Sequence, residues 1–134
     1  GNDTMLSTYI YNYIIYLLAS LAMIGVFSLI YTKITPYDEL KMIREGQTAA
    51  ACSFVGALLG FSLTLASSIM HNDNLVAFAG WASAAMAVQL LVYALVSRIM
   101  PEIHNELDNN NVAMGALLGG VSLTFGIINA ACLS

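Results

Sequence analysis

The sequence predicts an all-α membrane protein, with four transmembrane helices arranged as a parallel duplication of a two-helix unit. Three observations predict it. Of 134 residues, 59% are hydrophobic and 9% charged, where an ordinary soluble domain is roughly 25% charged; the mean hydropathy is +0.78. The apolar residues gather into four long runs separated by polar connectors. Two short patterns, one at a connector and one within a run, each occur twice.

The runs cover residues 9–31, 48–70, 75–96 and 112–133, each close to the roughly 20 residues that cross a hydrocarbon core. Residues 1–8 hold no Lys or Arg, and the run behind them is too long for a signal-peptide core, so it is expected to stay in the protein. It gives way to a break at 33–47, where Thr35-Pro36 stops the helix: proline lacks an N–H and clashes with the preceding turn. The break at 71–74 is a tight polar turn, which makes the second and third runs an antiparallel hairpin. The break at 98–111 contains Pro101 and ends on Asn109-Asn110-Asn111, ahead of the fourth run. Tyr9, Tyr11, Tyr13, Tyr16 and Trp81 suit an interfacial aromatic belt. Cys52 and Cys132 fall inside apolar runs without CxxC spacing or companion histidines, so they read as small membrane-core residues and no metal site is expected.

The basic residues are Lys33, Lys41, Arg44 and Arg98, all in or beside the first and third breaks. Loops that carry Lys and Arg stay cytoplasmic, so both termini are expected on the non-cytoplasmic side. With a net charge of −4 and no basic stripe, the chain cannot neutralise a phosphate backbone, and nucleic acid is excluded as a partner. The lipid bilayer is the partner that composition demands.

The duplication rests on two matches. Lys33-Ile34-Thr35-Pro36 recurs as Arg98-Ile99-Met100-Pro101, and residues 56–64 recur, through a shared Gly/Ala/Leu pattern ending Ser-Leu-Thr, at 116–124. The two offsets differ, so the second connector is the shorter one. A repeat holding an even number of spans sets both copies in the same orientation. The chain is therefore read as one transmembrane domain over 1–134, with repeats at about 9–70 and 75–133.

Gly56 and Gly60 recur at helical spacing with Ser53, Thr64 and Ser67, and Gly115, Gly119 and Gly126 do so with Ser122 and Asn129. Lipid gives helices no hydrophobic drive to associate, so such faces are expected to pack backbone to backbone. Polar side chains within the runs are few. Gln89 and Asn129, with Ser62, Thr64, Ser122 and Thr124, are the candidates for an intramembrane polar path, because an amide facing lipid is costly. Tyr93 lies one turn from Gln89 on the same face. His71 and His104 sit in connectors and read as solvated. No nucleophile, acid and base combine at membrane depth, so neither an enzyme nor a cofactor is expected. In the first connector, Pro36, Tyr37, Asp38, Glu39, Arg44 and Glu45 form a candidate cytoplasmic docking loop, part of a short surface helix with Tyr37, Leu40 and Ile43 as its apolar side.

The block Ile34-Thr35-Pro36-Tyr37-Asp38-Glu39, followed by Ile43-Arg44-Glu45-Gly46 and Ala49-Ala50-Ala51, resembles the bacterial inner-membrane family called domain of unknown function 350, the YjfL-type proteins. The likeness continues through Gly56 to Phe61, Leu65-Ala66-Ser67, Trp81, Gln89-Leu90, Arg98, Pro101 and Asn129-Ala130-Ala131-Cys132. Asn109-Asn110-Asn111 departs from it. The resemblance implies a small bacterial inner-membrane protein with two copies of a two-helix module, and implies no particular activity. Two functions are expected from the residues: a homo-oligomeric passive pore or minimal transporter for a small solute or ion, or a membrane scaffold that recruits a soluble cytoplasmic partner in envelope stress.

Overall fold

The computed structural model describes residues 1–35 and 39–133. Six helices follow in order: α1 Asn2–Ile34, α2 Glu39–Arg44, α3 Thr48–His71, α4 Leu75–Ile99, α5 Ile103–Asp108 and α6 Val112–Cys132. α1, α3, α4 and α6 are long and apolar enough to cross a membrane. α1 begins earlier than its apolar run. Its 33 residues reach about 50 Å, and Asp3 in the first turn suits the positive end of the helix dipole.

The remaining boundaries follow local chemistry. The Asn74 side chain caps α4 by accepting from the Ala77 N–H at 2.8 Å, and Asn111 caps α6 by accepting from Met114. α2 ends on Gly46 at φ +84°, with Gly46 N–H donating to the Ile43 carbonyl and Gln47 N–H to that of Met42. α5 ends the same way. Asn110 takes φ 58°, with Asn110 N–H on the Leu107 carbonyl and Asn111 N–H on that of Glu106. Both are Schellman motifs, which need a residue tolerant of the left-handed region. The Asn-rich stretch thus serves α5 as glycine serves α2. Having turned, Asn110 also accepts the backbone N–H of Ala49, at the start of α3, on its side-chain Oδ1.

α3 and α6 form the centre of the bundle and run parallel. Near their starts Gly115 lies on Ala49, midway Gly119 lies on Cys52 and Gly56, further on Gly126 lies on Gly60, and near their ends Ser67 donates to the Ala130 carbonyl at 2.6 Å. A methyl group at Gly56, Gly115, Gly119 or Gly126 would run into the backbone of the facing helix. α4 packs beside this pair. α1 lies at the edge, with Phe27 and Tyr31 its buried residues and Leu6, Ile10, Leu17 and Leu21 among its exposed ones. The core continues through Phe61, which stacks on Phe27 with ring centres 4.7 Å apart, and Phe78, Tyr93, Ile103, Leu107 and Leu118. Tyr9, Tyr11, Tyr13 and Trp81 face outward, while Tyr16 meets Phe78 edge to face. Cys52 is half-buried and Cys132 exposed.

Candidate functional site

Both short helices lie at one end of the bundle, where α1 and α4 finish and α3 and α6 begin. At this connector end α2 presents Glu39 and Met42 to the interior. Glu39 is fully buried. Its Oε1 accepts from the Tyr31 hydroxyl at 3.5 Å, and that hydroxyl shares a 2.8 Å hydrogen bond with Ser53 Oγ on α3. The Tyr93 ring of α4 meets Tyr31 edge to face at 5.0 Å, and His104 of α5 lies 6.3 Å from Tyr93. Five elements therefore converge on one cluster.

Burial pushes the Glu39 carboxyl up from its ordinary 4.5 to about 8, while the Tyr31 hydrogen bond pulls the other way. Removing an ionised carboxylate from water costs far more than a single long hydrogen bond returns. Burial also lowers the pKa of His104. At neutral pH the cluster therefore holds a neutral acid and a neutral imidazole. Glu39 Oε2 is buried and has no hydrogen-bond partner among the described residues.

A second polar site lies halfway along the bundle. Gln89 on α4 is 3% exposed and donates from Nε2 to the Ser122 carbonyl of α6 at 3.1 Å, in contact with the space over Gly60. Its Oε1 has no partner among the described residues. Two turns along α6, Asn129 donates to the Ala85 carbonyl of α4 at 3.4 Å. The amides thus tie α4 to α6.

The structure brings Gln89 and Ser122 together and sets Thr64 in the interior, where it donates to the Phe61 carbonyl. Ser62 and Thr124 do not join them. Each donates to its own helix, at Leu58 and Gly120, and Thr124 is exposed on the outer face. Gly56, Gly60, Gly115, Gly119 and Gly126 all lie at the α3–α6 crossing.

The first connector differs most from the sequence reading. Glu39, expected on a cytoplasmic docking surface, is inside. Leu40, on the apolar side expected of the surface helix, is exposed, and Ile43 is half-buried. The reason is register: Glu39 and Met42, three residues apart, share the face that meets α3. Arg44 and Glu45 are exposed; Pro36, Tyr37 and Asp38 lie outside the described residues. His104, expected to be solvated, is half-buried against Tyr93, whereas His71 is exposed, with Nδ1 2.8 Å from the Ser67 carbonyl. Sequence reasoning missed Tyr31, Ser53 and Glu39 as a unit. An acid in a loop carries no signal of burial until the helix holding it is docked.

The family model for Domain of Unknown Function (DUF350) matches residues 4–133. The chain belongs to this family. It is similar to the UPF0719 inner membrane protein YjfL of Escherichia coli strain K12, with 37% identity over 119 residues, covering 89% of this chain and 90% of the relative. The protein of the same description from Escherichia coli O157:H7 matches equally, at 37% identity over 119 residues. No solved structure matches. This DUF350 protein is accordingly a polytopic membrane protein, and its relatives carry an inner-membrane description.

Proposed function

We propose that the protein is a homo-oligomeric passive pore or minimal transporter for a small solute or ion in the bacterial inner membrane, without catalytic activity. The observation that carries this reading is a pair of buried oxygens, Gln89 Oε1 at mid-bundle and Glu39 Oε2 at the connector end, with no partner among the described residues. An unpaired polar group at membrane depth costs several kcal/mol, a cost relieved when water or a polar solute reaches it. α3 and α6 are in backbone contact and leave no room between them, so other copies supply the rest of the wall. An outer groove of ≈ 390 Å³ over Gly56, Gly119 and Gly120 offers a seat for an apolar helix of a second copy.

In this reading the two halves are a parallel duplication, supported by the matching order of long, short and long helix and by the Schellman endings at Gly46 and Asn110. The connector end is cytoplasmic, supported by the positions of Lys33, Lys41, Arg44 and Arg98. Recruitment of a soluble partner through the first connector has less support, since Glu39 is buried and Arg44 and Glu45 remain at the surface.

Native mass spectrometry from nanodiscs comes first, and a closed oligomer of fixed stoichiometry is expected. A monomer would sink the pore and return the search to partners of the connector. Gln89→Leu should then abolish solute or ion flux in reconstituted vesicles while the protein stays folded. Unchanged flux would remove Gln89 from the path.

A further inference from the structure

We propose that Glu39, held against Tyr31 and Ser53 at the connector end of the bundle, is a proton-binding site whose occupancy controls the docking of α2. The proposal stands whether or not copies of the chain enclose a pathway.

The geometry leaves Glu39 few ways to exist. Its side chain is fully buried, one oxygen has a single 3.5 Å hydrogen bond, and the other has none among the described residues. Among the described residues, the groups that face it are neutral: Tyr31 from α1 and Ser53 from α3 directly, and Tyr93 from α4 and His104 from α5 behind Tyr31. Lys41 and Arg44 on α2 itself, Lys33 at the end of α1 and Arg98 at the end of α4 are all exposed, as are Glu45 and Glu102. A charge left in place would thus be desolvated with little compensation. The carboxylate either takes a proton from water, becoming a neutral acid, or carries α2 out to solvent.

α2 is built for the second course. It has six residues, of which Glu39 and Met42 are the buried ones, and it ends on Gly46 in the left-handed region. A short element with so few buried contacts opens at low cost. Loss of the proton therefore undocks α2, and its return lets α2 close. The raised pKa of Glu39, about 8, sets the changeover near pH 8.

Two measurements test this. In a chain with Cys52→Ala and Cys132→Ala, Met42→Cys reports α2 opening through its rate of reaction with a membrane-impermeant maleimide. Its rate is divided by that of the same chain carrying Glu39→Gln, which cancels the thiol's own ionisation. The ionised fraction of a group with pKa about 8 grows about tenfold between pH 7 and 9, and the ratio should follow it. A flat ratio would overturn the coupling. Independently, infrared difference spectra of the unaltered protein minus Glu39→Gln in nanodiscs should show a protonated carboxyl C=O band at pH 7 that fades above pH 8. No such band, or one removed by sodium at fixed pH, would overturn the proton site, the latter in favour of a metal-cation site.

Discussion

The Tyr31 hydroxyl on α1 and Ser53 Oγ on α3 stand 2.8 Å apart, and the same hydroxyl reaches Glu39 on α2. One phenol thus holds three elements together where α1 leaves the bundle. Tyr31→Phe keeps the ring contacts with Phe27, Phe54 and Tyr93 and removes the hydroxyl. The lost bond favours the ionised form of Glu39. The Glu39 carboxyl should therefore titrate at higher pH in Tyr31→Phe, read from its infrared band. Stability should fall by about 1–3 kcal/mol, the usual result of stranding a buried partner such as Ser53. A carboxyl titrating at lower pH would show that this hydrogen bond does not govern Glu39.

Stability should also depend on pH in a particular direction. The folded-state pKa of Glu39, about 8, lies above its ordinary 4.5. The folded chain therefore binds more protons than the unfolded chain between those values. The contribution of Glu39 is complete below pH 4.5 and is lost as pH rises towards 8, at up to about 1.4 kcal/mol per pH unit. The Tm of detergent-purified protein should fall across this window, and Glu39→Gln should flatten the dependence. An equal slope in Glu39→Gln would assign it to other groups.

How far these relationships are legible in the sequence depends on which forces set them. The spans were readable because bilayer thickness acts on each run separately, and the four helices cover the four runs. Proline and the short turn marked where they end. The site at Glu39 was not readable. Hydrophobic patterning sets Leu40 and Ile43 on the apolar side of a surface helix and gives no reason to bury Glu39, whereas the docking of α2 on α3 turns Glu39 and Met42 inward. Gln89 was recognisable as a costly amide, whereas its contact with the Ser122 carbonyl depends on how closely α4 approaches α6. The turn at Asn110 is not legible, because a Schellman motif with asparagine in place of glycine shows no apolar pattern.

The α3–α6 crossing gives a sharp contrast between neighbouring glycines. A Cβ at Gly119 would meet the Cys52 carbonyl oxygen, while one at Gly120 has nothing within 4 Å. Gly119→Ala should force the helices apart and cost about 1–3 kcal/mol, the range for overpacking. Gly120→Ala should be neutral or slightly stabilising, by up to about 1 kcal/mol, from helix propensity. Thermal unfolding of both variants in one detergent decides the matter. Equal losses would mean that the close approach at Gly119 is not what holds the helices.

Asn110 combines two roles that substitution can separate. Its backbone occupies φ 58°, and its side chain accepts the Ala49 N–H at 3.0 Å. Asn110→Gly keeps the turn without strain and loses only the side-chain bond, about 1 kcal/mol. Asn110→Ala loses the bond and also forces a Cβ into the left-handed region, adding roughly 1–2 kcal/mol. The order of stability should therefore be Asn110, then Gly, then Ala, in chemical or thermal unfolding. If Ala matched Gly, the turn would not require the left-handed conformation. If Gly matched the unaltered protein, the bond that ties the second connector to the start of α3 would contribute nothing, and the α5–α6 turn would act on α6 alone.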